Sequence, residues 1–262
     1  MVSLTLDQLK TIAPRGKDAV LEAVVDVLRD KGDAYGVTTP LRIAHFLAQA
    51  AHESDGFKAT EEYASGSAYE GRLDLGNTEP GDGVAFKGRG IFMLTGRNNY
   101  ARFGEKIGED LVGHPQKAAE PAISVKIALE YWKDRDLNGL ADQNDFIGIT
   151  RKINGGVNGF ANRKYYFEKA GEALGGLDDQ VAQVKDLWGP GERGDHIVQL
   201  QTELNKINET AEVKLDVDGK FGRATLAAIR EFEHSHNLPV DGIADPDMRA
   251  ELHKAYSDFT FA

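Results

Sequence analysis

The chain has no cysteine among its 262 residues. That absence excludes disulfides, thiolate metal sites and cysteine nucleophiles together, so any catalysis must use other groups. Long apolar runs are missing too. Met1 to Lys10 alternates polar with apolar residues, without the basic start and apolar core of a signal peptide, and no later run is long enough to span a bilayer. The expectation is a protein made in the cytoplasm and not inserted into a membrane. Positive charge is scarce: 31 Lys+Arg face 42 Asp+Glu, for a net charge of −11. Residues 190–262 carry 8 Lys+Arg against 14 Asp+Glu, and the remainder carries 23 against 28, so both parts are acidic. A nucleic-acid ligand demands a basic face, so none is expected. No Gly-Lys-Thr phosphate loop occurs, and Gly88-x-Gly90 lacks the strand-turn-helix setting of a dinucleotide site.

What is present reads as folded and mostly helical. Apolar residues make up 41% and charged residues 28%, within the globular range, and the length suits one medium and one small domain. Val20, Leu21, Val24, Val25 and Leu28 predict a helix near 17–30, with Gly32 where it would stop. Thr39 and Pro40 form an N-cap and first-turn pair for a second helix, which carries His52 and Glu53 in its last turn before Gly56. Residues 66–90 hold seven glycines and Pro80, an irregular stretch whose length inside a domain suggests a site. Helical spacing returns at Ile123 to Tyr131, Phe146 to Ile153 and Phe160 to Leu174. The runs Gly175-Gly176 and Trp188 to Gly191 bracket the best candidate for a domain boundary, dividing residues 1–180 from 190–262. Val217-Asp218-Gly219 and Val240-Asp241-Gly242 then repeat weakly at 23 residues, among three short helical patterns that could share one core.

Hydrolysis of a glycosidic bond needs a protonated acid at the leaving oxygen and a carboxylate to activate water, and Glu53 and Glu62 are the candidates. Taken alone, two glutamates nine residues apart are more often solvated side chains. Their setting is suggestive: Glu53 ends an Ala-rich helix just before a glycine, and Glu62 lies past that break, where the chain can fold back across a groove. Asn98, Asn99, Asn154, Asn158 and Arg163 add amide and guanidinium donors of the kind that bind sugar hydroxyls, although caps and turns explain each singly about as well. For the histidines a metal site is the weaker reading. His234 and His236 point to different helix faces, and His45 and His52 fit hydrogen-bonded positions in the core or at a groove edge.

The stretches AHESDGF (Ala51 to Phe57), FKGRGIFMLTGRNNYARFG (Phe86 to Gly104) and INGGVNGFANR (Ile153 to Arg163) together resemble glycoside hydrolase family 19, its endolysin branch in particular. The resemblance implies Glu53 as general acid and Glu62 as general base of an inverting reaction, with Glu61 the adjacent alternative for the base. It implies Thr95 as a placer of the water, and His52, Asn99, Tyr100 of the Asn-Tyr pair, Asn154 and Arg163 as substrate-binding residues. Met93 departs from the chitinases of the family, which carry a substrate-binding Gln there, and this weighs against chitin. Gly194-Asp195, Val198, Leu200-Gln201 and Leu204, followed by VDGKFGRATLAAIREFE (Val217 to Glu233) and LPVDGI (Leu238 to Ile243), resemble the three-helix peptidoglycan-binding module. Asp218 and Gly219 read as a structural turn ahead of a helix.

The expected protein is therefore all-α: a lysozyme-like, two-lobed catalytic domain followed by a small helical wall-binding domain. Its expected reaction is cofactor-free and metal-free hydrolysis of β-1,4 bonds between N-acetylmuramic acid and N-acetylglucosamine in peptidoglycan, by a monomer. If the chain is phage-encoded, a separate pore (holin) would release it from the host cytoplasm to the wall. The alternatives are a chitinase and a non-catalytic wall-binding protein.

Overall fold

The computed structural model describes residues 4–208 and 214–261. The first three residues of the N-terminal pattern lie outside that range. Among the described residues there are thirteen α-helices and no strand, only four isolated antiparallel bridges, in keeping with the all-α expectation. In chain order the helices are α1 Leu6–Ile12, α2 Asp18–Tyr35, α3 Pro40–Glu53, α4 Asp82–Ala85, α5 Arg97–Ile107, α6 Pro121–Asp134 and α7 Leu137–Asp142. They continue as α8 Phe146–Asn154, α9 Phe160–Leu174, α10 Asp178–Lys185, α11 Asp195–Ile207, α12 Arg223–Ser235 and α13 Pro246–Phe261.

The chain's contacts group into two compact units, residues 1–149 with 165–178 and residues 150–164 with 179–262. The division falls inside α8 and α9, and the stretch between the two glycine runs is occupied by the short helix α10, which buries Val181 and Val184.

In the first unit α2 packs along α6, and the apolar stripe of α2 is buried as its spacing predicts. The predicted stop is corrected. Gly32 is helical and buried, and the helix runs on to Gly36, whose φ of 68° is the left-handed cap that glycine adopts without a Cβ clash. Thr39 caps α3 as expected, its hydroxyl accepting the Arg42 N–H at 3.2 Å, and Pro40 sets the first turn. Phe86, Leu94, Tyr100, Phe103, Leu111 and Ile127 form a buried cluster beneath the glycine-rich stretch. Each large side chain in it contributes roughly 1.5–3 kcal/mol of burial. In the second unit α11, α12 and α13 share a core built on Ile197, Leu200, Leu204, Ile229, Phe232 and Leu252.

Candidate active site

Glu53 is the last residue of α3, and the chain reverses directly after it through three successive left-handed residues, Asp55, Gly56 and Phe57. Left-handed backbone at a bulky side chain costs about 1–3 kcal/mol per residue and persists only where the surroundings impose it. Here the imposition is visible. Ser54 is fully buried, its hydroxyl donating to the Ala50 carbonyl at 2.6 Å and accepting the Phe57 N–H at 3.0 Å, while Phe57 is completely buried. The Gly56 N–H bonds the Ala51 carbonyl at 2.6 Å, and the Ala59 N–H returns to the Ser54 carbonyl at 2.9 Å. The motif thus fixes the end of α3, and with it half-buried His52 and Glu53, against a turn that cannot drift.

The chain then pairs residues 60–62 with 88–90. The Glu62 N–H bonds the Gly88 carbonyl at 2.9 Å and the Gly90 N–H bonds the Thr60 carbonyl at 2.8 Å. The half-buried Glu62 carboxylate accepts the Gly88 N–H at 2.8 Å and the Tyr69 hydroxyl at 3.0 Å. Burial and the bond to Glu62 raise the Tyr69 pKa, so this donor keeps its proton. Glu61, one residue away, is engaged differently: Arg89 Nε lies at 3.0 Å and Lys87 Nζ at 3.2 Å. Partial burial pushes its pKa up, but Lys87 and Arg89 outweigh that and hold it below the usual carboxylate range. Of the two neighbours, Glu62 therefore meets only neutral donors at its carboxylate, whereas Glu61 is clamped between two cations.

A second bridge carries the geometry onward. Arg89 and Leu94 exchange backbone hydrogen bonds of 3.0 and 2.6 Å around a turn in which Gly90 and Met93 both have positive φ. Past this turn Thr95 Oγ1 donates to the Met93 carbonyl at 2.8 Å, and Asn99 Nδ2 donates to the Thr95 carbonyl at 2.8 Å. Met93, Thr95 and Asn99, all half-buried, line one cavity of about 210 Å³. Tyr100 is placed otherwise than the resemblance implies. It is fully buried, its hydroxyl donating to the Lys87 carbonyl at 2.6 Å and accepting Arg89 Nη1 at 3.1 Å. Its side chain braces the segment that holds Glu61 and Glu62, and burial pushes its pKa up to about 12.

The glycine-rich stretch is held by its own polar groups. Asn77, completely buried, donates to the Tyr69 carbonyl at 2.9 Å and accepts the Arg97 N–H at 2.9 Å. Arg97 forms an ion pair with buried Asp82, and Glu70 accepts the N–H groups of Gly81 and Gly83. Gly66 and Gly83 approach so closely that a Cβ on either would strike the other's carbonyl. Sequence reasoning passed over Tyr69, Lys87, Arg89 and Asn77 as site components. Lys87 and Arg89 lie inside the motif Phe86 to Gly104, but nothing in one sequence marks a tyrosine or asparagine within a glycine-rich loop as a tether.

Asn154 and Arg163 belong to the second unit. Asn154 is exposed at the end of α8, while Arg163 is completely buried, with Nε donating to the Asn158 carbonyl at 3.2 Å. A side chain so enclosed tethers the turn before α9, which differs from the ligand contact that the resemblance implies. His45 is the core histidine expected: fully buried, bonded through Nε2 to Asn144 at 3.0 Å, with burial lowering its pKa to about 4. His234 is exposed and His236 lies over the Phe232 ring. Among the described residues no cluster of His, Asp and Glu could hold a metal ion.

The chain is similar to known proteins in two separate stretches. Residues 28–152 match the family model described as Chitinase class I, and residues 193–252 match that of a putative peptidoglycan binding domain. A glycosyl hydrolase family 19 domain-containing protein of Haemophilus influenzae is 32% identical over 160 residues, covering 49% of this chain and 78% of that protein. An acidic 27 kDa endochitinase of Solanum lycopersicum is 39% identical over 93 residues, covering 34% of this chain and 35% of the endochitinase. Among solved structures, chitinase C of Streptomyces griseus shares the fold with a TM-score of 0.57 at 21% identity, covering 66% of this chain and 77% of that one. With a helical architecture of this type and a relative matched over most of its length, the chain belongs to glycoside hydrolase family 19 and is a glycosidase that carries a domain of the peptidoglycan-binding family at its C-terminal end.

Proposed function

We propose that this glycosidase is an endolysin that cleaves the β-1,4 bond between N-acetylmuramic acid and N-acetylglucosamine in peptidoglycan, with inversion. Glu53 gives its proton to the leaving glycosidic oxygen. Glu62 takes a proton from a water that attacks the anomeric carbon from the opposite face, and Thr95 helps to place that water. The choice of Glu62 over Glu61 rests on their surroundings: a carboxylate clamped by Lys87 and Arg89 is a poor proton acceptor, and one fixed by a backbone N–H and a tyrosine hydroxyl is oriented by neutral donors. Asn99 supplies an amide for the sugar, and Tyr100 acts by positioning its neighbours.

One observation carries the choice of polymer: the match to a peptidoglycan-binding family in the same chain as the hydrolase. Tethering a weak binder raises the local concentration of the catalytic unit at an insoluble wall. The chitinase reading is favoured by the tomato and Streptomyces proteins, whose names are those of chitinases. Mass spectrometry of digested sacculi separates the readings. N-acetylmuramic acid at the new reducing ends is the expected result. N-acetylglucosamine there would mean a glucosaminidase, and turnover of chitin with none of peptidoglycan would overturn the proposal. The proposed place of action is the wall, reached from the cytoplasm through a separate pore if the chain is phage-encoded.

A further inference from the structure

The cavity lined by Thr95 and Asn99 carries ionisable groups of one sign. Its wall includes two cations, Arg102 and Arg135, and no acidic residue, in a chain whose net charge is −11. At about 210 Å³ it is far larger than the site of a single structural water. Both guanidinium groups are held against rings. Arg135 lies 3.6 Å from the centroid of Tyr131, which itself stacks on Phe92 at 4.9 Å, and Arg102 lies 4.7 Å from the centroid of Phe103. Arg102 meets Asp134 at 3.0 Å, and Asp134 also pairs with Lys106. Lys106 foremost, then Arg102 and Arg135, hold Asp134 below the usual carboxylate range.

We propose that Arg102 and Arg135 form a carboxylate-binding subsite that recognises the acidic substituent of the muramic sugar. This rests on the reading that the site takes peptidoglycan. A planar guanidinium matches a carboxylate with two parallel hydrogen bonds, and stacking on an aromatic ring removes much of the side-chain freedom that such a contact would otherwise cost. Chitin carries no charge and offers these guanidinium groups only neutral acceptors. Wall glycan carries a lactyl group on every second sugar, and its carboxylates come from one of two sources. In intact wall the lactyl group is consumed as an amide and the stem peptide supplies them; in peptide-stripped glycan the lactyl carboxylate is itself free. Met93 lines the same cavity and gives it an apolar wall.

The test measures kcat and KM of the full chain on solubilised glycan strands with stem peptides, on strands stripped by an amidase, and on each after chemical amidation of the carboxylates. Amidation is expected to raise the wild-type KM about tenfold, the worth of one charge-assisted contact, with kcat nearly constant. Arg102→Gln and Arg135→Gln are each expected to raise KM on the charged strands about tenfold and to show little further rise on amidation. Arg102→Lys should recover part of the loss. A wild-type advantage confined to peptide-bearing strands assigns the subsite to the stem peptide, and one kept on stripped strands assigns it to the lactyl group. Should Arg135→Gln unfold because Tyr131 loses its stacking partner, Arg102→Gln, at a half-exposed position, carries the test. Unchanged KM in the variants, or losses from variant and amidation that multiply independently, would overturn the subsite while leaving the wall-hydrolase reading intact. No sugar released from any strand by the wild type would overturn that reading, and the subsite with it.

Discussion

Glu62 in the first unit and Glu233 in the second each accept the N–H of a glycine, and they come to opposite ends. Glu62 takes the Gly88 N–H at 2.8 Å while half-exposed, with the Tyr69 hydroxyl as its other donor. Glu233 takes the Gly242 N–H with both oxygens, at 3.0 and 2.9 Å, while only 1% exposed. Burial foremost pushes Glu233 up to about 7; the Gly242 bond opposes this, and Asp241 beside it adds to the rise. Asp241 is raised too, again chiefly by burial and further by Asp245, with Arg151 offsetting a part. The same hydrogen bond therefore serves an oriented carboxylate open to solvent in one unit and a proton-holding core group in the other. The glycine does not decide the role; desolvation and the charges nearby do.

The sharpest way to break this contrast is substitution by the isosteric amide. Glu53→Gln and Glu62→Gln should each lower wall clearance by about 10²–10⁴-fold with little change in melting temperature, as expected for loss of a general acid or base. Glu61→Gln should cost far less, and turbidity assays that find Glu61 the more damaging site would move the base by one residue. Glu233→Gln should do the reverse, sparing the rate on soluble fragments while changing stability.

For Glu233 the sign is set by a folded pKa above the unfolded value near 4.5. Below about pH 4.5 both states hold the proton and nothing is lost; between there and about pH 7 the folded state alone retains it, so stability falls as pH rises. The full span is worth about 3 kcal/mol at most. Hydrogen exchange across α12 and α13 in the full chain should show less protection at pH 8 than at pH 5, and Glu233→Gln should flatten that difference. A wild-type slope unchanged by the substitution would place the titration elsewhere.

Smaller effects test the supports. Tyr69→Phe removes one of the two donors that orient Glu62 and should lower the rate about tenfold without a comparable loss of fold. Met93→Gln introduces the amide that the family resemblance implies for chitinases and should raise chitin-oligomer turnover relative to peptidoglycan by a few-fold, read as a ratio of kcat/KM values. No change in that ratio would remove Met93 from the account of specificity.

The helices were legible wherever local chemistry decides. Thr39-Pro40 started α3 where expected, and the 3.6-residue spacing of Val20, Leu21, Val24 and Leu28 gave the buried face of α2. Gly32 misled because a glycine stops a helix only when its backbone turns left-handed, and that choice fell to Gly36. Glycine runs mark where a chain is free to bend, but Lys164 in α9 is buried with its ammonium on the Lys185 and Leu187 carbonyls and on Glu192, a bond set that groups it with later residues.

Sequence by itself determined the family, the helical class and the two glutamates as candidates, because these depend on residue type and spacing along one strand of chain. Tertiary structure decided what each group can do. It turned Asp55 to Phe57 left-handed behind Glu53, enclosed Tyr100 and Arg163 so that they brace rather than reach out, and distinguished Glu61 from Glu62 by the cations beside them. Burial and charge proximity arise between residues far apart in the chain, such as Glu62 and Gly88 or Asn77 and Arg97, and no local pattern encodes them.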